Sequence, residues 1–392
     1  MTATVHQHVH HVQRQPKLTY HGWDRRYAEQ VDEVLAIVRE VGESDEFILK
    51  SRAAALETAI AQRTGARHAI ACANGTGALT LTLTGLGIGR GDEVITPAFS
   101  FIASASAIAL AGATPVFADV DPATATLDPG SAESAITPYT KALLPAHLFS
   151  CTAAMTPLQS LADAYALYLI EDSAISLGAE VDGRPAGRHG DAGVFSFFPG
   201  KPLGGVGDAG MVITDNDKLA KAVRMLRNHG QDLQVRFLHH EVGFNCRMDE
   251  ITAGYLLRQL PGLDGVLEHR RRLAQRYSDL LWPLAPELTP PPPGFTGRSV
   301  YTYVVQATDR DQLRAHLARR GIETAVYYPR PLHLQPVFAK LGYSAGDFPV
   351  AERLARTCLA LPLYPGLRDD EIERVCSAIA EFYRAPRHRR RS

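Results

Sequence analysis

Apolar residues along this chain fall into two alternating rhythms. Short apolar runs bounded by turn residues occupy His68 to Ala73, Glu93 to Thr96, Thr114 to Ala118, Ala142 to Ala146, Leu167 to Ile170, Gly193 to Phe197 and Met211 to Thr214. They read as strands. Stretches with apolar residues at helical spacing, Tyr27 to Val41 and Ser51 to Thr64, precede them, and Met248 to Leu260 and Leu267 to Leu280 follow. The alternation predicts an α/β fold around a largely parallel sheet of about seven strands. The proline run Pro290 to Pro293, closed by Gly294, marks a rigid turn near which a smaller α+β unit begins. That unit is expected to hold the strand Val300 to Gln306, the helix Arg310 to Arg320 and the terminal helix Asp369 to Tyr383.

The two ends differ from this body. Residues 1–20 are polar and His-rich, and Arg384 to Ser392 carries five arginines in nine residues. Both read as solvated tails. The domain expectation is therefore a flexible tail over 1–20, a large domain over 21–265, a small C-terminal domain over 266–383 and a basic tail over 384–392. His6, His8, His10 and His11 lack a carboxylate or cysteine partner, and no metal site is assigned to them.

Composition narrows the function classes. Of 392 residues, 45% are hydrophobic and 21% charged, the usual globular mix. Lys plus Arg total 41 against 42 Asp plus Glu, so no bulk field favours nucleic acid or an anionic membrane. Five scattered cysteines without CxxC spacing fit reduced thiols, and the longest apolar stretches are too short to span a bilayer. A soluble, cytoplasmic protein without a metal, nucleic-acid or membrane partner is expected, its function set by a local site.

Three segments carry candidate chemistry. Asn74-Gly75-Thr76-Gly77-Ala78 follows a strand and opens a helical run, where backbone N–H groups hold a phosphate or where Gly and Thr merely bend and cap the chain. Leu167 to Asp172 is an apolar strand ending in the carboxylates of Glu171 and Asp172, at the sheet edge where open α/β folds place ligands. Lys201 lies among glycines, prolines and aromatics in Val194 to Gly210, company that excludes water and lowers an amine pKa. Together, a phosphate-holding helix start, a strand-end Asp and a partly buried Lys form the set that pyridoxal phosphate needs.

In this order and spacing the chain resembles the DegT/DnrJ/EryC1/StrS family of vitamin B6-dependent sugar aminotransferases, with the type I aminotransferase fold. The resemblance runs from about Asp45 to Tyr383. It takes in Asn74 to Leu79, Gly91 to Pro97, Gly112 to Asp121, Glu171 to Ala174, the Lys201 segment, Leu226 to Gly230, Gly243 to Glu250 and Tyr328 to His333. It implies that Lys201 is the Schiff-base lysine and proton shuttle, and that Asp172 partners the pyridinium nitrogen. It further implies that Gly75, Thr76 and Ser196 bind the phosphate, that Phe101 stacks on the ring, and that Asn245 reaches the phosphate of a neighbouring subunit. A homodimer with shared active sites follows from the last assignment.

One departure stands out. Where the family places Gln or His three residues after the Asp, this chain has Ile175, and two residues later Leu177. Ile175 cannot donate a hydrogen bond to the cofactor's phenolate oxygen, so that task falls to another group, such as Ser173 or Ser176. An apolar Ile175 also suits a deoxygenated sugar. Arg247, Tyr328 and His333 are further candidates for substrate contacts.

The implied activity is transfer of an amino group from glutamate to a nucleotide-linked, dTDP for preference, 3- or 4-keto-6-deoxyhexose. Alternatives are the same chemistry on a cyclitol ketone such as scyllo-inosose, a sugar dehydratase of the same family, which Lys201 argues against because that position then holds His, and a non-catalytic binder.

Overall fold

Seven short strands pair edge to edge in the computed structural model, which describes residues 16–385. They are β1 (His68–Cys72), β2 (Glu93–Pro97), β3 (Thr114–Ala118), β4 (Thr140–Leu143) and β5 (Tyr168–Asp172), then, beyond a two-stranded hairpin of β6 (Glu180–Val181) and β7 (Arg184–Pro185), β8 (Ala192–Ser196) and β9 (Gly210–Thr214). The sheet order is β1-β9-β8-β5-β4-β2-β3. Only β9 runs against its neighbours; the other pairings are parallel. All seven predicted runs are strands of this sheet, with ends shifted by a few residues at β4 and β5.

Each strand feeds two cores because successive side chains leave a strand on opposite faces. On one face Ile70, Val194 and Val212 pack with helices α3 (Gly75–Gly85) and α4 (Ala103–Leu110). On the other, Ala69, Phe195, Met211 and Ile213 pack with helices that include α2 (Ser51–Thr64), numbered after α1 (Trp23–Ser44). Burial on both faces explains why the strands read as continuous apolar runs and not as alternating ones.

The chain leaves this sheet along the helix Leu263–Leu281. Its Leu263 and Leu267 pack under the large sheet, while Leu273, Tyr277 and Leu281 belong to a second core. That core backs an antiparallel sheet of β10 (Leu288–Thr289), β11 (Tyr303–Ala307) and β12 (Cys358–Leu361).

The tail expected over residues 1–20 is corrected at its inner end. Leu18 is buried in the second core, its N–H donates to Gly321 O at 2.8 Å, and its carbonyl accepts from Glu323 N at 3.0 Å. Tyr20 Oη meets Thr302 Oγ1 at 2.8 Å. One apolar side chain in a polar stretch suffices to seat it, because a backbone bridge to Ile322 satisfies the polar groups that burial would otherwise strand. His6, His8, His10 and His11, and the chain beyond Ala385, lie outside the described residues. Among the described residues no helix is long and apolar enough to cross a membrane, and no group of three His, Cys, Asp or Glu is placed to hold a metal.

Candidate active site

The C-terminal ends of β1, β5 and β8 gather the candidate residues. After β1, the side chain of Asn74 accepts from Gly77 N at 2.7 Å and caps α3. The cap serves the third helical amide and leaves the N–H groups of Gly75 and Thr76, at the positive end of the helix dipole, directed outward. Ser196, ending β8, closes the other side: a Cβ on Gly75 would stand 2.9 Å from Ser196 Cβ. Only glycine lets the helix start and the strand end approach this closely, so Gly75, Thr76 and Ser196 form one cradle.

At the end of β5 the two carboxylates part. Glu171 points to one face and is sealed in. It accepts from Gly187 N at 2.8 Å, Gly190 N at 3.1 Å and His189 N, and its Oε2 is 3.3 Å from His147 Nε2. Burial works to raise its pKa, but the His147 hydrogen bond and the amides of Gly187 and His189 outweigh it and hold the carboxyl below its ordinary value. His147 Nδ1 accepts from Ala153 N at 3.0 Å, which leaves the ring proton on Nε2 to donate to Glu171. Asp172 points to the other face, where Ser104 Oγ on α4 donates to its Oδ2 at 2.7 Å and Ala174 N to its Oδ1 at 3.2 Å. The strand's period of two thus separates a sealed carboxylate from the candidate site carboxylate.

Lys201 sits in the turn after β8, its N–H donating to Phe198 O at 2.8 Å. Its Nζ lies 4.1 Å from the centre of the Tyr301 ring. Loss of water around the amine lowers its pKa to about 8, although the negative charge of Asp172 opposes the shift. Tyr328 joins this group. Desolvation pushes its phenol well up, helped by Tyr301, Tyr327 and Asp172, and its ring centre is 6.0 Å from that of Phe101. Phe101 itself is 55% exposed just before α4, free to cover a ligand. Beside Tyr301 a small cavity of about 30 Å³ opens between Tyr20, Trp23 and Gly200.

The remaining candidates scatter. Asn245 is exposed, and Arg247 Nε donates to its Oδ1 at 3.0 Å while Nη1 reaches Asn228 Oδ1 at 3.2 Å. Ile175 is buried, with its carbonyl accepting from Ser299 Oγ at 2.8 Å, and Leu177 belongs to the core under the sheet. Ser173 Oγ is buried with no hydrogen-bond partner. His333 is buried against Glu352, 3.3 Å away, and edge-on to Phe348, contacts that lie within the C-terminal half. Sequence reading missed Tyr301 and Ser104. The signal for Ser104 was a polar residue inside the apolar helix Ala103–Leu110, whereas Tyr301 lies 100 residues from Lys201 with no local mark.

Pyridoxal phosphate fits these residues. Its phosphate needs unpaired donors at a positive helix end, which the Gly75 and Thr76 amides supply in a cradle that a Cβ would fill. Its ring nitrogen needs a fixed carboxylate and its aldehyde an amine that sheds its proton more readily than an ordinary lysine, which Asp172 and Lys201 provide.

The DegT/DnrJ/EryC1/StrS aminotransferase family matches residues 28–380. A pleiotropic regulatory protein of Geobacillus stearothermophilus is 43% identical over 361 residues, covering 92% of this chain and 96% of its own. A UDP-N-acetyl-3-dehydro-alpha-D-glucosamine 3-aminotransferase of Acidithiobacillus ferrooxidans is 41% identical over 89% of this chain and 93% of its own. A dTDP-3-amino-3,4,6-trideoxy-alpha-D-glucose transaminase of Streptomyces venezuelae is 38% identical over 94% and 96%. Among solved structures, S. venezuelae DesV in complex with a ketimine intermediate superposes with a TM-score of 0.90 at 38% identity, over 95% of this chain and 100% of DesV. The chain therefore belongs to the DegT/DnrJ/EryC1/StrS aminotransferase family of pyridoxal phosphate-dependent sugar aminotransferases.

Proposed function

We propose that this aminotransferase moves the amino group of glutamate to a keto carbon of a nucleotide-linked 6-deoxyhexose, with dTDP as the carrier, and that it works as a homodimer with shared active sites. The observation that carries the reading is the Lys201 amine, lowered to about 8 and set between Tyr301 and the charge of Asp172. The UDP- and dTDP-linked relatives are both named for carbon 3, which favours a 3-ketone over a 4-ketone.

Bound in the cradle, pyridoxal phosphate supplies an electron-withdrawing ring that acidifies the hydrogen on the amino-bearing carbon. The protein's part is to place charge and protons. Asp172 stands as the counter-charge to a protonated ring nitrogen, fixed by Ser104. Gly75, Thr76 and Ser196 hold the phosphate, and Phe101 covers the ring. With its pKa near 8, Lys201 Nζ accepts the proton from the α-carbon of glutamate and returns one to the former keto carbon of the sugar. Ser173, whose buried hydroxyl lacks a partner, is the donor assigned to the phenolate oxygen in place of Ile175. Ile175 itself lines the sugar side, where a hydroxyl facing it would go unpaired. Tyr328, next to Phe101, contacts the substrate, and Arg247 meets its anionic end, whereas His333, sealed against Glu352 and Phe348, is left out of the substrate contacts.

The dimer reading rests on the loop between His229 and Gly243. Leu233, Val235 and Phe237 are more than half exposed there and Val242 is 95% exposed, beside the exposed Asn245. Exposed apolar side chains gathered in one loop suit burial by a second copy. The five cysteines are free and buried, in keeping with a cytoplasmic setting.

The test mixes protein, cofactor and glutamate with a panel of UDP- and dTDP-linked 3- and 4-ketosugars and scyllo-inosose, and follows by mass spectrometry which acceptor gains an amine. Amination of scyllo-inosose alone would replace this reading by the cyclitol one. The regulator-named relative does not change it, because this chain carries the Lys201 and Asp172 that the transfer needs.

A further inference from the structure

Two thiols stand directly behind the cradle, and the transfer chemistry uses neither. Cys72 ends β1 two residues before the cap Asn74, and Cys246 follows Asn245. Ala73 N donates to Cys246 O at 3.2 Å, so the two segments run side by side. Cys72 is fully buried and Cys246 is 6% exposed. The Cys72 thiol donates to the Ile70 carbonyl at 3.4 Å, and Cys72 and Cys246 belong to the same buried core cluster. Cys246 Sγ also packs on the first turn of α3, where a Cβ on Gly77 would come within 2.4 Å of it.

The pair is electrically asymmetric. Hydrogen bonding from Cys72, opposed by burial but joined by the amides of Ala73 and Asn74 and the charge of Arg227, lowers the Cys246 thiol to about 7. Donation to Cys246 and burial push Cys72 well up. One sulfur is thus a ready thiolate and the other keeps its proton, the arrangement in which one thiol attacks and its neighbour resolves.

We propose that Cys246 and Cys72 form a hydroperoxide-sensitive dithiol whose oxidation distorts the phosphate cradle. The Cys246 thiolate attacks one peroxide oxygen; an S–O bond forms, the O–O bond breaks, and the second oxygen leaves and takes up a proton as an alcohol or water. Cys72 sulfur then attacks the Cys246 sulfenic sulfur; the S–S bond forms, the S–O bond breaks, and the departing hydroxide leaves as water with the Cys72 proton. Two electrons pass from the two sulfurs to the peroxide. A disulfide holds its sulfurs about 2 Å apart, which draws Cys246 off Gly77 and shifts its neighbours Asn245 and Arg247 along with the Asn74 turn. The effect on cofactor rests on the reading of Gly75 and Thr76 as the phosphate cradle; the cross-link itself does not.

The experiment treats the full-length cofactor-loaded protein with hydrogen peroxide and maps peptides without reduction. The expected result is a Cys72–Cys246 peptide pair lighter by two hydrogens, with cofactor lost on gel filtration, both reversed by dithiothreitol. Cys72→Ser, or Cys72→Ala if the serine variant fails to fold, stops at a Cys246 sulfenic acid that dimedone traps. Free alkylation of both thiols after peroxide overturns the proposal, as does a cross-link that leaves cofactor retention unchanged. Gly75→Ala without oxidant separates the two readings: if it keeps its cofactor the cradle assignment fails, and the cross-link is judged on the peptide map alone.

Discussion

The amine of Lys201 lies 4.1 Å from the centre of the Tyr301 ring, a residue 100 positions later in the chain. Desolvation lowers the amine while Asp172 favours its charged form, and the balance of the two rests at about 8; the ring face of Tyr301 also favours the cation. In the cofactor-free protein, labelling of Lys201 by an amine-reactive reagent should rise with a midpoint near pH 8, not at the ordinary 10.5. Tyr301→Leu keeps the bulk, removes the ring face and moves that midpoint down by about half a pH unit. Peptide mass spectrometry across a pH series reads both. Folding stability follows the same group: below pH 8 both states hold the proton, and between about 8 and 10.5 the unfolded chain binds more of it, so this group's contribution rises with pH through that window.

Asp172 and Ser104 act as a unit. Asp172→Asn removes the counter-charge and should lower kcat by about 10²–10³, while the Lys201 labelling midpoint drops because Asp172 no longer raises it. Ser104→Ala frees the carboxylate from its 2.7 Å partner and should cost about 1.5–3 kcal/mol of cofactor binding. Equilibrium titration of cofactor into the apo variants measures it.

Gly75→Ala tests the cradle. The added methyl meets Ser196 Cβ at 2.9 Å, a clash that only a backbone shift relieves, so some stability is lost and cofactor affinity should fall by more than that loss explains. Equal losses of stability and affinity would mean that the contact only packs the fold.

Ile175→Gln should shift the ratio of kcat/KM values toward a sugar that carries the extra hydroxyl, since a buried hydroxyl without a partner costs roughly 1–3 kcal/mol. An unchanged ratio across a deoxygenated and a hydroxylated ketosugar would remove Ile175 from the sugar site.

Glu171→Gln should destabilise the chain by about 3 kcal/mol at neutral pH, because an amide nitrogen would face donors that now meet a carboxylate. The folded pKa of Glu171 is depressed, so its contribution is full above the ordinary 4.5 and fades as pH falls through the lowered value. Urea unfolding of parent and variant at neutral and acid pH should therefore show curves that converge in acid.

The chain's apolar rhythm by itself determined the seven strands of the large sheet, because strands buried on both faces must be apolar throughout, and the turn residues after them marked Asn74, Asp172 and Lys201. Local chemistry is written locally: a cap, a strand end and a glycine-rich turn each span a few residues. Tertiary structure alone sent Glu171 to the face that carries His189 and Asp172 to the face that carries Ser104, since the pleat parts adjacent side chains but only packing says which neighbours each face holds. It alone brought Tyr301 over Lys201 and seated Leu18 in the second core, because those contacts close long loops whose partners share no sequence pattern. It also ran β9 against its neighbours, a direction that apolar spacing does not encode.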